Sequence, residues 1–252
     1  MLIELPPTAR EPLRPLFAGF PGLHGCLDAV LEGTMGTAHA NDAVRPAVAL
    51  LHLDFHLLAG DPDAAGGEEA ARIPSSPATI VTSSTDWEPL LRRVWGDAIQ
   101  TRTRVAFQSG AWDRPRLRGF IEGLPDGFAL KRVSGADAGR FAELADSLVY
   151  SYPSLEEFAA WGVGFGIEHD GRFVSGCSSC ALSSRRLEFE IQTHPDFRRR
   201  GLATAAAASM IEHCIDRGLE PCWDAHNDVS AMLAAKLGFV DPAPYEAYEL
   251  RA

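Results

Sequence analysis

The sequence predicts an α/β (α+β) fold in which strands and helices alternate along the chain. Residues 186–195, "RLEFEIQTHP", alternate between polar and apolar side chains, as a strand with one buried face does. An apolar row from Leu202 to Cys214 repeats at the spacing of one helix face, and Gly218 then predicts the helix end. Asp170 and Gly171 separate two apolar-rich runs and predict a tight hairpin.

The composition limits the class of partner. The chain of 252 residues carries 34 acidic and 23 basic side chains, which is a formal net charge of −11. This charge disfavours nucleic acid and anionic membranes and favours a small cationic substrate. The amino-terminal segment lacks a basic start followed by an apolar run, and the longest apolar stretch, residues 47–51, is far shorter than a membrane span. We therefore expect a cytoplasmic protein.

The carboxy-terminal half has the clearer pattern of elements, and Ser154 is a predicted helix cap. Those elements are a strand at 128–134, helices at 137–148 and 153–162, a hairpin at 163–182, a strand at 186–195, a helix at 202–217, a strand at 220–227, a helix at 228–238 and a last strand at 245–250.

The amino-terminal half predicts a smaller α+β domain. Glycine, proline and aspartate at 123–127 predict the boundary, which gives domains at 1–125 and 126–252. The predicted elements of the first domain are a strand within 45–62, a loop and short helix at 60–71, a strand at 77–84, a helix at 86–96, a strand at 98–108 and a helix at 112–124.

A cluster of positive charge, "RRRGLA" at 198–203, follows the strand at 186–195 and leads into the next helix. Backbone amides at a helix start point at an anion, and Gly201 allows the anion to approach closely. The arginine guanidinium groups suit phosphate oxygens. The pattern therefore predicts a phosphate or pyrophosphate site, and the alternative is a solvated turn.

The motifs around this turn identify a family. The pattern R-x-x-G-x-A (Arg198, Gly201, Ala203) follows the strand "EFEIQTHPDF", and Asn227, Ser230 and a Gly-Phe pair at 238–239 follow in order. This order resembles the acetyl-CoA-binding core of the GNAT superfamily of N-acetyltransferases. The resemblance implies a mixed central sheet flanked by helices in the carboxy-terminal half, and transfer of an acetyl group to an amine.

The whole chain resembles a bacterial GNAT subgroup with an extra amino-terminal domain, which includes the zwittermicin A self-resistance acetyltransferase. The segments that carry this resemblance include "LLAGDP", "FAAWGVGFGI" and "PCWDAHNDVSAMLAAKLGF". Two roles for the amino-terminal domain stay open. It supplies acceptor specificity, or it is a degenerate second copy of the GNAT fold.

The resemblance also implies which residues bind acetyl-CoA as co-substrate, without a metal. Main-chain amides in the RRRGLA turn hold the pyrophosphate, main-chain groups of the preceding strand pair with the pantetheine arm, and the asparagine after the next strand contacts that arm. The implied cofactor-binding residues are Ile191, Gln192, Thr193, Arg198, Arg199, Arg200, Gly201, Leu202, Ala203, Thr204, Asn227 and Ser230.

Acetyl transfer also needs a base, because an ammonium group must lose a proton before it attacks. Glu190 is the first candidate, then His226, with Glu188 on the same strand face as Glu190. The alternatives are a solvated strand face for both glutamates and a hydrogen-bonded strand-end histidine for His226.

The position at which many family members carry a tyrosine acid is Ala234 here. Tyr245 or Tyr248 from the last strand is a candidate substitute. A non-catalytic acyl-CoA-binding regulator is therefore the rival function.

Two further patterns each allow two interpretations. His52, Asp54 and His56 alternate along a predicted strand, and a polar strand face explains them better than a metal triad. Trp161 and Phe165 are expected in the core, with an acceptor pocket as the alternative.

Overall fold

The computed structural model describes residues 1–251, which form two compact units. Residues 1–106 and the segment from Pro242 onward form the first unit, and Phe107–Asp241 form the second. In chain order the helices and strands are β1 (Ile3–Glu4), α1 (His24–Glu32), β2 (Thr37–Ala40), β3 (Val48–His52), β4 (His56–Gly60), α2 (Gly67–Arg72), β5 (Ala78–Thr82), α3 (Trp87–Trp95), β6 (Ile99–Gln108), α4 (Arg114–Glu122), β7 (Ala129–Arg132), α5 (Ala138–Leu144), α6 (Leu155–Trp161), β8 (Gly164–His169), β9 (Arg172–Leu182), β10 (Arg186–Thr193), α7 (Leu202–Arg217), β11 (Glu220–Ala225), α8 (Asp228–Leu237) and β12 (Val240–Leu250).

Local sequence signals explain the borders of the second unit's elements. Asp170 and Gly171 both have positive φ, 48° and 75°, which is the geometry of a two-residue turn between β8 and β9. Ser154 caps α6 by accepting a hydrogen bond from the backbone of Glu157. Gly218 ends α7 in the left-handed conformation. These predictions are confirmed, as is the α/β fold with a mixed sheet and flanking helices.

The core of the second unit lies on both faces of its sheet. Helix α7 lies against β8, β9 and β10, and its apolar row from Leu202 to Cys214 is buried. A side chain at Gly176 would meet the ring of Phe141 on α5, so α5 packs closely on the opposite face. Burial of these apolar faces is the main favourable contribution to folding of this unit.

The two units repeat one order of strands. In the first unit β1 to β4 pair antiparallel in chain order, and β5 lies parallel to β4. In the second unit β7 to β10 pair antiparallel in chain order, and β11 lies parallel to β10. One helix connects each parallel pair, which is α2 in the first unit and α7 in the second.

The first unit differs in detail from its sequence prediction. Residues 45–62 form a hairpin of two strands, β3 and β4, and α1 and β2 had no strong local signal. The carboxy-terminal half of β12 pairs antiparallel with β5, and Tyr248 is buried there beside Trp87. The last strand thus joins the first unit because its apolar side chains complete that core.

The units also differ from a division at 125/126. Helix α4 belongs to the second unit, since Arg114 donates hydrogen bonds to Glu212 (2.9 Å) and Asp216 (2.7 Å) of α7. The turn at 123–127 therefore connects two elements of one unit. Within residues 1–251, every helix is too short or too polar to cross a membrane.

Candidate active site

The turn between β10 and α7 presents positive charge and free backbone amides. Arg199 and Gly201 have positive φ, 62° and 81°. A Cβ atom at Gly201 would have no described atom within 4 Å, so this side of the turn faces open space. Within residues 1–251 no side chain caps α7, which leaves the amides of its first turn without helical acceptors. This is the geometry in which backbone amides at a helix start bind anions in other proteins.

Two of the three arginines of this turn donate hydrogen bonds to its own backbone. Arg198 donates to the carbonyl oxygen of Thr193 (3.2 Å), and Arg200 donates to that of Asp196 (3.3 Å). The Arg200 guanidinium also lies 5.3 Å from the centroid of the Phe197 ring. None of Arg198, Arg199 and Arg200 forms an ion pair with any acid of residues 1–251. Their charge is consequently available to an anionic ligand.

Strands β10 and β11 separate before they end. Their parallel pairing covers only Arg186 to Glu188 of β10, opposite Glu220 to Cys222 of β11. From Phe189 onward β10 pairs with β9 alone among the described strands. Successive strand residues direct their backbone groups to alternate sides, and the His194 amide donates to Val174 of β9 at 2.9 Å, so Gln192 also faces β9. The backbone groups of Ile191 and Thr193 therefore face the β11 side, where the Thr193 carbonyl accepts from Arg198.

Glu190 is partly exposed on β10, whereas Glu188 is buried. The Gln192 side-chain amide donates to Glu190 Oε1 at 2.8 Å, which fixes the carboxylate on the strand face that both residues share. Across the sheet, Glu190 pairs with Ser178, whose buried hydroxyl has no hydrogen-bond partner within residues 1–251. The polar group on this face is thus Glu190, Gln192 and Ser178. The sequence predicted a ligand contact for the main chain of Gln192 but no role for its side chain. The i, i+2 spacing from Glu190 was the signal for the side-chain contact, because it places both side chains on one strand face.

The end of β11 carries the other predicted residues. Asn227 caps α8, since its Oδ1 accepts from the Ser230 backbone amide at 2.9 Å. Its Nδ2 lies 2.7 Å from Nε2 of the exposed His226, so Asn227 orients that ring. The Ser230 hydroxyl accepts from Nε1 of Trp223 at 3.1 Å. Asn227 and Ser230 therefore also stabilise the α8 start, a structural role that the sequence did not reveal.

Several candidates lie away from the polar face of β10. Phe165 pairs with Cys177, the neighbour of Ser178, and so its ring points to the opposite face of the sheet from Glu190. Tyr248 is buried in the first unit's core, and burial raises its pKa to about 12. Phe165 therefore does not line the surface that carries Glu190, and Tyr248 is packed within the first unit.

Metal and thiol chemistry have little support. The rings of His52 and His56 stack at 4.1 Å, and among residues 1–251 no cluster of three His, Cys, Asp or Glu side chains can hold a metal ion. All five cysteines are buried, and burial raises the pKa of Cys177 and Cys222 well above that of a free thiol. Buried, protonated thiols are poor nucleophiles.

Comparison with known proteins agrees with this geometry. The GNAT acetyltransferase family model matches residues 14–248. The "uncharacterized N-acetyltransferase YdfB" of Bacillus subtilis is 30% identical over 234 residues, which cover 87% of this chain and 88% of that protein.

Solved structures show the same fold. A GCN5-related N-acetyltransferase-like protein from Streptococcus suis has a TM-score of 0.88 and 34% identity, over 97% of this chain and 99% of that one. A tandem GNAT protein from the clavulanic acid biosynthesis pathway has a TM-score of 0.57 at 13% identity, over 99% of this chain and 96% of that one, and shows the fold alone. The family match spans most of the sequence, and the chain therefore belongs to the GNAT acetyltransferase family of acetyl-CoA-dependent acyltransferases.

Proposed function

We propose that this protein transfers the acetyl group of acetyl-CoA to the amine of a small cationic molecule, in the class of antibiotic-like or amino-sugar compounds. The observation that carries the proposal is the cationic start of α7. There Gly201 faces open space, and the three neighbouring arginines form no ion pair within residues 1–251. A non-catalytic regulator is not favoured, because the family is one of acyltransferases.

The residues present fit acetyl-CoA. Amides from Arg199 to Thr204 would hold the pyrophosphate, with Arg198 and Arg200 adding charge. Main-chain groups of Ile191 and Thr193 would pair with the pantetheine arm, which suits the separation of β10 from β11. The remaining predicted contacts with acetyl-CoA are made by Leu202, Ala203, Asn227 and Ser230.

Glu190 is the proposed base. Acetyl-CoA supplies a thioester carbonyl, which the acceptor amine attacks with release of the CoA thiol. Glu190 takes the proton that the ammonium group must lose, and the 2.8 Å hydrogen bond from Gln192 holds its carboxylate in place. Backbone amides of β10 that do not pair with β11 would stabilise negative charge on the carbonyl oxygen. His226 is the second candidate, and the burial of Glu188 makes it the third.

The departing thiol needs no tyrosine in this proposal. Ala234 is fully buried at the position that many family members give to tyrosine. A thiol has a pKa of about 8.5, so its thiolate is a fair leaving group near neutral pH without an acid. Tyr245 stays a candidate for the acid that protonates the thiolate, whereas Tyr248 belongs to the first unit's core.

Charge and the subgroup resemblance support the acceptor class. The formal net charge of −11 favours a cation. Trp161 is 36% exposed at the end of α6, and its ring contacts Tyr152. Gly164, three residues further along, pairs with Ser178, which in turn pairs with Glu190. Trp161 is therefore a candidate wall of the acceptor pocket.

The first unit fits a degenerate copy of the same fold. It repeats the strand order of the second unit, but the connection that corresponds to the arginine-rich turn is short and carries Asp61 and Asp63. A contribution of this unit to acceptor specificity stays a prediction.

The experiment that tests the function is calorimetric titration with acetyl-CoA, followed by thiol release against a panel of amines. Micromolar binding with amine-dependent thiol release is expected. Binding without release across the panel would contradict acetyl transfer to an amine of this class.

Gly201→Glu tests the phosphate site, because the new carboxylate would repel the pyrophosphate. Loss of acetyl-CoA binding in the titration is expected. Gly218→Glu is the matched control, since Gly218 ends the same helix with a φ of 67° and also faces open space among the described residues. Equal affinities in the two variants would overturn the assignment.

A further inference from the structure

Ser178 on β9 carries a buried hydroxyl that the fold does not use. Its side chain is fully buried, and within residues 1–251 no group forms a hydrogen bond with its Oγ atom. The adjacent Ser179 differs, because its Oγ atom contacts the Tyr152 hydroxyl and accepts a hydrogen bond from the backbone amide of Val163 at 2.9 Å. A buried hydroxyl without a partner destabilises the folded state, so an alanine at position 178 would suit the fold at least as well.

Aromatic rings cover the sheet beside Ser178. Gly176 lies two residues earlier on the same face of β9, and a Cβ atom there would overlap the ring of Phe141 on α5. Gly164 lies opposite Ser178 on β8, and a Cβ atom there would lie 3.2 Å from the ring of Phe158 on α6. The helices on this side therefore offer the hydroxyl apolar neighbours.

On the other side Ser178 faces Glu190 of β10. The two residues are directly opposed in antiparallel register, so their side chains project to the same face with Cβ atoms roughly 4.5–5.5 Å apart. Glu190 Oε1 accepts a hydrogen bond from the Gln192 side-chain amide at 2.8 Å. A donor of this kind favours the ionised carboxylate, whereas a carboxyl group that has taken up a proton needs an acceptor. A serine oxygen is such an acceptor, and rotation about the side-chain bonds of Glu190 brings its carboxyl group within reach.

We propose that Ser178 is a positioning residue for Glu190. Its hydroxyl oxygen accepts a hydrogen bond from the Glu190 carboxyl group once that group has taken the proton of the acceptor ammonium. This inference rests on the proposed function, in which Glu190 is the base. Ser178 thus stabilises the protonated state of the base, and its hydroxyl is unpaired only while Glu190 is ionised.

Other ionisable groups lie on the elements around Glu190. Burial raises the pKa of the Cys177 thiol and of the Tyr152 hydroxyl, and it raises the pKa of Cys214 on α7 to about 12. These three groups therefore stay protonated near neutral pH. The remaining groups are Glu188 on β10, Asp224 on β11, the exposed His226 after β11 and the exposed Asp146 in the turn at 146–148 that packs against β10. All of them are retained in Ser178→Ala, so a changed pH dependence in that variant reports the loss of the serine hydroxyl.

The experiment measures kcat/KM against pH for the wild-type protein and Ser178→Ala, with the amine that gives the fastest thiol release in the panel. We expect kcat/KM to fall about threefold to tenfold, as loss of one hydrogen bond does. Because the serine stabilises the protonated base, its removal should move the increase of kcat/KM to lower pH by about 0.5–1 pH unit. The dissociation constant of acetyl-CoA should change by less than about twofold, and the free energy of unfolding should stay equal or increase.

Ser179→Ala is the matched control, since the fold uses the hydroxyl of this neighbouring residue. It should lower the free energy of unfolding and leave the pH at which kcat/KM increases unchanged. A second test combines Ser178→Ala with Glu190→Gln. If Ser178 acts through Glu190, adding Ser178→Ala to Glu190→Gln should change kcat/KM by less than about twofold.

The outcomes separate this inference from the proposed function. If Ser178→Ala keeps the wild-type pH dependence, or has its full effect also in the Glu190→Gln background, the positioning role is wrong and acetyl transfer stands. The same holds if Glu190→Gln retains wild-type activity. If no amine of the panel causes thiol release, both the inference and the function fail.

Discussion

Gly201 is the residue on which the cofactor proposal depends most. Its φ of 81° lies in the left-handed region, where a residue with a Cβ atom is strained. The open space beside it brings backbone amides to the surface, and no side chain of residues 1–251 caps them. Glu190 depends on its neighbours in a different way, because the Gln192 amide holds one of its oxygens. The proposed binding and reacting groups thus come from two short segments of one strand–turn–helix.

Glu190→Gln tests the base at the residue scale. The amide keeps the size of the side chain but accepts no proton at working pH, so we expect kcat/KM to fall roughly 10²–10⁴-fold. The increase of kcat/KM with pH, which reports loss of a proton from the base, should disappear in this variant. Acetyl-CoA affinity should change by less than about twofold, because the carboxylate acts on the acceptor amine.

Glu188→Gln is the comparison variant for this test. Glu188 lies two residues earlier on the same face but is buried. If Glu188→Gln loses the activity and Glu190→Gln keeps it, the assignment of the base is wrong.

At the scale of elements, the candidate site lies where two parallel strands separate. Pairing of β10 with β11 stops after Glu188 and Cys222, although both strands continue. Helix α7 begins at the end of β10, and its buried row holds it on the sheet. In the first unit, β4 and β5 form the corresponding parallel pair. His52 of the neighbouring strand β3 stacks on His56 of β4.

The stacked pair His52 and His56 predicts an acid-sensitive hairpin. Burial lowers the pKa of His56 to about 4, and His52 adds a smaller effect. In the unfolded chain a histidine titrates near its ordinary value of about 6.5. The unfolded state therefore binds the proton first, and stability decreases as pH falls from about 6.5 to 4, by at most about 3 kcal/mol.

Chemical denaturation between pH 7 and 4 measures this effect. His56→Phe removes the titrating group and keeps a ring, and it should flatten the dependence of the unfolding free energy on pH. His194→Gln, at an exposed position, is the control and should not flatten it. An unchanged slope in His56→Phe would contradict the prediction.

At the scale of the whole molecule, one order of strands serves two units with different chemistry. Each unit has four antiparallel strands followed by a parallel fifth, with a helix between the parallel pair. In the second unit the connection is cationic and α7 is 16 residues long. In the first unit the connection carries Asp61 and Asp63. Helix α2 has 6 residues, and its start consists of two glycines followed by two glutamates.

We therefore expect one molecule of acetyl-CoA per chain. Carboxylates at the first unit's connection would repel the pyrophosphate, and its short helix adds little dipole. Calorimetry should give a stoichiometry of one, and Gly201→Glu should abolish all binding. A second binding event that survives in Gly201→Glu would contradict this prediction.

The sequence by itself determined most elements of the second unit and the position of the arginine-rich turn, because these depend on local signals. The Asp170 and Gly171 turn, the Ser154 cap, the apolar row of α7 and the arginine-rich turn are each readable within a few residues. The first unit was harder to predict, since its short strands and α1 lack clear periodicity.

Only the tertiary structure decided which residues share a surface. Phe165 lies on the opposite face of the sheet from Glu190, and Tyr248 lies in the first unit's core. Both positions depend on strand register and core packing, and therefore on partners far along the chain. The register of β9 and β10 also places Ser178 directly opposite Glu190. Local patterns determine a helix or a turn, whereas the position of a side chain beside a distant one is set by how these elements pack.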